Sequence, residues 1–236
     1  MAAAVVPDVA EVDDVTVPSD DPRRPLRAVL LAVIAVGLVL IGGGLAVGLG
    51  IGRTEDPAAD SVDAGFSRDM ARHHLQGVEM ANLVPQRSQD PAVRTLAFDI
   101  SSTQTNQAGR MQGWLSLWGL PLSGGVPMAW MGADGGHAGH GTSMDMGSSA
   151  LMPGMATEGE LANLRSLSGP AFDVEFLRLM IRHHQGGKDM AQYAADHASE
   201  PAVRDLARSI LQSQTAETTL MAGMLTARGG TPLPAS

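Results

Sequence analysis

The sequence contains no cysteine among its 236 residues. Disulfide bonds, thiolate metal sites, catalytic thiols and cysteine-linked lipids are therefore all excluded. A metal ion bound by this chain must be held by imidazole, thioether, carboxylate or amide groups. The absence of cysteine thus limits the metal chemistry before any motif is considered.

Aromatic and basic residues are also scarce. Phe, Trp and Tyr make up 3% of the chain, and 16 Lys and Arg stand against 25 Asp and Glu, giving a formal net charge of -9. The basic surface that marks nucleic-acid binding is missing, so we expect no nucleic-acid partner. Methionine, by contrast, is plentiful, with 14 residues.

Residues 28–52 form one long apolar run without a charged side chain. At about 1.5 Å per residue, a helix of this length exceeds the roughly 30 Å hydrocarbon core of a bilayer. Arg23, Arg24 and Arg27 precede the run, so the positive-inside rule predicts a cytoplasmic N-terminus and an external segment 53–236. A cleaved signal peptide is the alternative, but its apolar region is usually shorter.

An internal duplication organises the rest of the chain. Residues 66–119 align without a gap with residues 176–229, and both copies carry a Met-x-x-His-His motif, at Met70 and at Met180. Each copy shows apolar residues at helical spacing, a break, and a second helical stripe, which predicts a helix hairpin. We call residues 61–119 hairpin one and residues 170–230 hairpin two.

Two amphipathic hairpins bury their apolar stripes when they pack together, which predicts an all-α, ferritin-like four-helix bundle preceded by one transmembrane helix. Asp90 before Pro91 predicts a helix N-cap, and Thr157 with Glu160 predicts a capping box. The predicted organisation is a disordered cytoplasmic tail (1–27), the transmembrane helix (28–52), a linker (53–60), hairpin one, a Met/His/Gly-rich loop with a short helix (120–169), hairpin two and a tail (231–236).

Polar residues interrupt the apolar stripes at matching heights. On the return helices these interruptions are Gln104, Gln107, Gln214 and Glu217. In an antiparallel hairpin, residues equidistant from the turn lie side by side, which predicts that His73 lies beside Gln107 and His183 beside Glu217. The same counting places methionines level with each other in each hairpin, namely Met70 with Met111 and Met180 with Met221. Buried polar groups need partners. Either these groups hydrogen-bond to each other, or they hold a metal ion.

Imidazole and thioether together form the ligand set expected for copper, with Cu(I) favoured as the number of thioethers rises, and with Cu(II) or Zn(II) as alternatives. The loop between the hairpins adds Met128, Met131, His137, His140, Met144, Met146, Met152 and Met155. This loop is too glycine-rich and irregular to be core, and a short His-rich tract predicts metal capture. A flexible linker without a metal is the alternative for this segment.

Several motifs resemble those of the domain of unknown function 305 family. They are Met180-Ile-Arg-His183-His184-Gln-Gly-Gly-Lys-Asp-Met190-Ala, the preceding Gly169-Pro-Ala-Phe172-Asp173, and Met152-Pro-Gly-Met155 with the capping-box helix. The resemblance implies a ferritin-like bundle in bacterial envelope proteins, some of which bind copper through His and Met. Carried over to this chain, the ligand positions are Met70, His73, His74, Met80, Met180, His183, His184 and Met190.

The return helix of hairpin one departs from the family pattern. The return helix in such proteins commonly has a Gln-x-x-Glu pattern, which hairpin two keeps as Gln214 and Glu217. Hairpin one has Gln107 in place of the acid. The resemblance therefore implies that a charged ligand is missing from hairpin one and that the two halves are not equivalent.

The sequence favours a membrane-anchored, extracytoplasmic protein of the bacterial cell membrane that binds copper for sequestration, transfer or tolerance. A structural or partner-binding bundle without metal is the main alternative. A di-metal enzyme is disfavoured because the chain has no Glu-x-x-His motif, so we predict no catalytic role. If the first helices of the two hairpins run parallel, we expect one composite site, and if they run antiparallel, two sites at opposite ends.

Overall fold

The computed structural model describes residues 23–49, 55–132 and 152–234. Its chain divides into two compact units, Met1–Glu55 and Asp56–Ser236. All regular structure in the described ranges is helical, which confirms the predicted all-α fold. The elements are α1 (Arg24–Gly48), α2 (Val62–Arg87), α3 (Pro91–Leu117), a 3₁₀ turn (Ala129–Met131), α4 (Glu158–Ser166), α5 (Gly169–His197) and α6 (Pro201–Ala227).

Helix α1 is the apolar helix of the first unit. Its segment Pro25–Gly48 has a mean hydropathy of 2.7 and is long and apolar enough to cross a membrane. The helix begins before the predicted 28–52 span, because Pro25 occupies its first turn, where a missing N–H costs nothing. Length and composition of this kind suit either a membrane anchor or a signal sequence.

Helices α2 and α3 form hairpin one, and local capping explains where each begins. The Ser61 side chain accepts a hydrogen bond from the backbone N–H of Ala64 at the start of α2. The Asp90 carboxylate accepts from the N–H groups of Ala92 and Val93 at the start of α3, which confirms the predicted N-cap. These bonds satisfy amide groups that have no partner within the helix.

Helices α5 and α6 form hairpin two, with the short helix α4 in front of it. The predicted capping box of α4 is present, because Thr157 Oγ1 accepts from the N–H of Glu160 and the Glu160 carboxylate accepts from the N–H of Thr157. The Glu160 carboxylate also accepts hydrogen bonds from both terminal nitrogens of Arg182, at 2.7 Å each. One short helix is thereby attached to hairpin two.

Contacts at the turns show how the two hairpins are oriented. The Asp63 carboxylate at the start of α2 accepts from the N–H groups of Ser199 and Glu200 in the turn of hairpin two. At the other end, Arg228 after α6 forms an ion pair with Asp90 in the turn of hairpin one. Each turn is held by the opposite hairpin, so the start of α2 lies at the end of α5.

The core confirms that α2 and α5 run antiparallel. One hydrophobic cluster joins Phe66 near the start of α2 to Ala194 near the end of α5. The other cluster joins Val84 near the end of α2 to Phe172 near the start of α5. The middle of α2, which carries His73, therefore lies against the middle of α5.

Residues 152–156, which we call the strap, cross the outside of α2 and α5 at their midpoint. The Gln76 side chain holds the strap at both polar atoms: Nε2 donates to Ala156 O at 2.9 Å, and Oε1 accepts from Ala156 N at 2.7 Å. Gly154 has φ of +78° and rests on the backbone of Gly186. Only glycines allow two backbones to approach this closely.

The expectation that the methionine-rich loop lies outside the core is wrong at both of its ends. Met131, Met152 and Met155 belong to the first hydrophobic cluster, with exposures of 1%, 2% and 8%. The neighbouring Trp130 is held by its indole N–H, which donates to the buried Asp69 carboxylate at 2.8 Å. Composition alone did not reveal these anchors. His137, His140, Met144 and Met146 lie outside the described residues.

Candidate metal centre

Four histidines lie at the middle of the bundle, two on α2 and two on α5. His73, His74 and His183 are fully buried, and His184 is 1% exposed. The rings of His73 and His183 face each other across the two hairpins, with centroids 3.8 Å apart and planes inclined by 32°. We call these four residues the histidine layer. The two hairpins therefore share one layer, although α2 and α5 run antiparallel.

The prediction that an antiparallel arrangement separates the histidines into two distant sites is thus wrong. The histidines lie near the midpoint of each helix, so an approximate two-fold axis through that midpoint brings the two copies together. Only motifs near a helix end would have been separated by antiparallel packing.

The outer histidine of each pair bonds to the return helix of its own hairpin. His74 Nε2 lies 2.7 Å from Gln107 Oε1, and His184 Nε2 lies 2.7 Å from Glu217 Oε2. The sequence had predicted His73 and His183 for these positions. Consecutive residues on a helix differ by about 100°, so the second histidine faces its own return helix while the first faces the other hairpin.

The inner histidines bond to backbone carbonyls. His73 Nε2 lies 3.2 Å from Pro153 O in the strap, and His183 Nε2 lies 2.9 Å from His73 O. A carbonyl oxygen only accepts hydrogen bonds, so both rings carry their proton on Nε2. The same argument holds for His184, whose partner is a carboxylate. In a neutral ring of this kind, the lone pair is on Nδ1.

All four Nδ1 atoms are buried and make no hydrogen bond within the described residues. Burial lowers the pKa of His73 to about 4 and that of His74 to about 3, and it lowers the pKa of His183 well below the usual value. These three rings are therefore neutral near pH 7. Neutral imidazole with its second nitrogen anchored is the form in which histidine binds metal ions.

Two glutamines join the layer, and sequence analysis named them only as polar interruptions. Both amide atoms of Gln104 and of Gln214 are buried and without a hydrogen-bond partner in the described ranges. A Cβ placed on Gly187 would lie 3.2 Å from Gln214 Oε1 and 3.5 Å from His73 Nδ1. The absent side chain of Gly187 thus leaves room for a glutamine of hairpin two beside a histidine of hairpin one.

On the other side of the layer, the absent side chain of Gly77 leaves similar room for a glutamine of hairpin one. A Cβ at Gly77 would lie 3.1 Å from His183 Cε1 and would overlap Gln104 Oε1. A glycine inside a helix is unfavourable by about 1 kcal/mol relative to alanine. Because both copies nevertheless have glycine at this aligned position, the sequence carried a signal of close packing there.

The predicted methionine ligands lie on both sides of the histidine layer. Met70, Met111 and Met190 belong to the first hydrophobic cluster, and Met80, Met180 and Met221 belong to the second. All six are fully buried. Each set of three combines both hairpins, as the duplication requires. Buried methionine also fills core space without any metal, so position alone does not make these residues ligands.

Histidines and carboxylates alone do not complete a metal site. In the part of the chain that the structure describes, no three His, Asp or Glu side chains are grouped so that they could hold a metal ion. The Nδ1 lone pairs would need thioether or amide groups as further ligands. Methionine and glutamine are the residues that surround the layer, and a soft metal ion is the one that accepts such a set.

Comparisons with known proteins agree with this architecture. The family model described as Domain of unknown function (DUF305) matches residues 63–225. A DUF305 protein of Streptomyces coelicolor, described as secreted, is 44% identical, with 75% of this chain and 99% of that chain covered and a TM-score of 0.66. A DUF305 fragment of Deinococcus radiodurans is 33% identical, with 70% and 96% covered and a TM-score of 0.56.

More distant structures carry metal. CopM in its Cu(II)-bound form is 26% identical, with 71% of this chain and 97% of that chain covered and a TM-score of 0.53. CopM in its Cu(I)-bound form is 25% identical, with 71% and 98% covered and a TM-score of 0.54. No curated protein sequence matches the chain.

Proposed function

We propose, from the premise that this chain belongs to the DUF305 family, that its histidine layer binds copper ions, with Cu(I) preferred. The proposal rests on the hydrogen bonding of the four imidazole rings. Each Nε2 is anchored by a hydrogen bond, while each Nδ1 is buried without a partner in the described residues.

Burial of an unpartnered nitrogen is costly. A buried polar atom without a hydrogen bond costs about 1–3 kcal/mol, and the layer has four such atoms on the imidazoles alone. A metal ion that coordinates Nδ1 would recover part of this cost. Anchoring the opposite nitrogen on a carbonyl or carboxylate fixes the ring and raises its basicity, as it does for metal-bound histidines elsewhere.

The surrounding residues favour a soft ion. Six buried methionines flank the layer, and two unpartnered glutamine amides reach into it. Thioether sulfur selects Cu(I), whereas Zn(II) prefers imidazole, thiolate or carboxylate. CopM, a relative with bound copper, makes copper the first ion to test.

In this proposal, helix α1 anchors the chain in the cell membrane and residues 53–236 lie outside the cytoplasm. Three arginines precede the apolar segment, which favours a cytoplasmic N-terminus. Copper binding there would serve sequestration, transfer or tolerance. No catalytic step is part of the proposal.

A structural role for the histidines is the second candidate, and one observation favours it. All four Nε2 atoms have protein partners, so the rings already connect α2, α3, α5, α6 and the strap. On this view the layer fixes the register of the hairpins and binds nothing.

Titration of the full-length chain in detergent micelles with Cu(I), against a chromophoric chelator, decides between the two candidates. The comparison variant changes His73, His74, His183 and His184 to Gln, and circular dichroism checks its helicity. A second variant changes His137 and His140 to Ala. The proposal expects tight binding by the parent and the loop variant, and loss of binding by the helical variant.

X-ray absorption of the copper-loaded parent gives a readout that does not depend on the folding of a variant. Scattering from both nitrogen and sulfur neighbours supports a site at the layer. Absence of binding by the parent, or sulfur neighbours alone together with unchanged binding by the helical variant, rejects the proposal and leaves the structural role.

A further inference from the structure

Hairpin two contains a cavity of about 210 Å³ beside the histidine layer. Polar side chains make up its lining. The residues are His184, Gln185, Lys188, Gln214, Thr215, Thr218 and Thr219. We call this space the hairpin-two cavity.

Two of the lining residues belong to the interior of the bundle. His184 is 1% exposed and Gln214 is 4% exposed. His184 Nδ1 and both amide atoms of Gln214 make no hydrogen bond among the described residues. A cavity lined by residues that carry buried, unpartnered polar atoms suits a polar or ionic ligand, because such atoms are costly to leave without a partner.

The wall of the cavity continues to the centre of the layer. Gln214 Oε1 and His73 Nδ1 lie on either side of the space that a side chain at Gly187 would fill, at 3.2 Å and 3.5 Å from its Cβ position. A glutamine that lines the cavity therefore lies close to a histidine of hairpin one. An ion bound at His184 has unpartnered donor atoms ahead of it in the direction of His73.

The aligned surface of hairpin one is chemically different. Gln185 and Lys188 align with Leu75 and Val78, and Thr218 and Thr219 align with Ala108 and Gly109. Ala108 is 1% exposed, whereas Thr218 is partly exposed at the cavity. Hairpin one keeps His74, Gln104 and Thr105 as counterparts of His184, Gln214 and Thr215, but it has no polar side chain at the other four positions.

We infer that a metal ion enters and leaves the histidine layer through the hairpin-two cavity, and that His184 is the first nitrogen it meets. This inference rests on the proposed function and adds the path by which the ion reaches the site. The hydroxyl and amide oxygens of the lining replace water around the ion as it passes inward. Hairpin one contributes ligands from the closed side.

Lys188 gives the route an electrostatic signature. Its side chain is exposed and lines the cavity, so its ammonium group repels an approaching cation. At the mouth this repulsion is screened by salt, with a Debye length of about 10 Å at 0.1 M ionic strength. Removing this ammonium group should therefore accelerate the uptake of a cation by this route, and added salt should reduce the difference.

Stopped-flow uptake of Cu(I) by the full-length chain in micelles tests the route, with final occupancy measured separately. Thr218→Leu places a bulky apolar group in the lining, and we expect uptake to slow about tenfold, equivalent to 1.4 kcal/mol in the barrier. The matched control is Thr226→Leu, which changes an exposed threonine of α6 whose hydroxyl bonds to Ala222 O away from the cavity.

Lys188→Gln supplies the second variant, at an exposed position where the fold is not at risk. We expect uptake about twofold faster than the parent at low salt and a difference that disappears near 1 M salt, where screening is nearly complete. Parent-like rates for both Thr218→Leu and Lys188→Gln, with normal occupancy, overturn the route but not the proposed function. A parent chain that binds no Cu(I) overturns both.

Discussion

Hairpin one and hairpin two share the histidine pair, the glutamine, the helix-interior glycine and the flanking methionines, but they differ in the partners of the outer histidines and in the residues on the outside of the layer. His74 bonds to a neutral amide, whereas its counterpart His184 bonds to a carboxylate. The duplication has thus kept the centre of the layer and changed its edge. A two-fold layer can in this way have one closed side and one side that is charged and reachable.

The strap shows the same difference from the outside. At one aligned position, hairpin one has Gln76, which holds the strap by two hydrogen bonds, and hairpin two has Gly186, which lets the strap backbone rest on the helix. At this position hairpin one supplies hydrogen bonds and hairpin two supplies space. Neither residue could serve in the other's place.

Gly186→Ala should have the largest effect on stability. The new Cβ would lie 2.5 Å from Gly154 N and closer still to Pro153 O, and both are backbone atoms of the strap. Displacing the strap also breaks the bond between His73 and Pro153. We expect a loss of about 3 kcal/mol in the free energy of unfolding, at the upper end of overpacking costs, measured by urea denaturation with tryptophan fluorescence.

Two other glycines control for the general effect of alanine in a helix. Gly113 and Gly223 occupy aligned positions in α3 and α6, and a Cβ at either would meet nothing within 4 Å. Alanine there should stabilise the bundle by up to about 1 kcal/mol. A Gly186→Ala protein as stable as these controls would show that the strap does not depend on close backbone contact.

The arginines that face the connecting segments sharpen the comparison further. Arg182 of hairpin two holds Glu160, and this hydrogen-bonded contact lowers the pKa of Glu160 to about 2. The aligned Arg72 of hairpin one is exposed and makes no hydrogen bond within the described ranges. Helix α4 also contacts hairpin one through an ion pair between Arg165 and Glu79, but both of these side chains are more exposed than those of the Arg182–Glu160 pair.

Glu160→Gln should lower the free energy of unfolding by about 2 kcal/mol at pH 7, the range of a hydrogen bond to a charged group. The folded pKa is depressed, so the carboxylate stabilises fully above its usual pKa of 4.5, and this contribution is lost as the pH falls towards about 2. Parent and variant should therefore converge across that interval in urea denaturation.

Arg72→Gln is the matched change in hairpin one, and it should alter stability by less than about 0.5 kcal/mol, as for other exposed sites. Equal losses from Glu160→Gln and Arg72→Gln would contradict the asymmetry. A difference between parent and Glu160→Gln that persists at pH 2 would show that the carboxylate charge is not its source.

The fold could be predicted from the sequence because the signals that specify its helices are local. Asp90 before Pro91, the Thr157 capping box and the helical spacing of the apolar residues each depend on residues within a few positions of one another. The pairing of histidines failed by one residue because periodicity describes which face of α2 is apolar. It does not say which part of that face meets α3 and which part meets α5.

The strap and the shared layer were beyond sequence reasoning for a related reason. Pro153 accepts a hydrogen bond from His73 through its backbone carbonyl. Every residue has such a carbonyl, so no pattern of side chains predicted the contact. Gln104 and Gln214 were visible as interruptions, yet their approach to the opposite hairpin depends on Gly77 and Gly187. Such contacts follow from the docking of hairpins, which periodicity leaves open.

Exchanging the partners of the outer histidines tests the comparison at the metal. Glu217→Gln gives hairpin two the amide of hairpin one, and we expect Cu(I) affinity to fall about tenfold, the lower range for loss of a hydrogen-bonded partner of a ligand. Gln107→Glu gives His74 a carboxylate and should raise affinity, measured by chelator competition.

The protein carrying both exchanges keeps the net charge of the parent, which separates the position of the carboxylate from its charge. If affinity follows Glu217 alone, the site is centred on hairpin two. If the exchanged protein binds as the parent does, the layer behaves as a symmetric unit and the duplication has changed access rather than affinity.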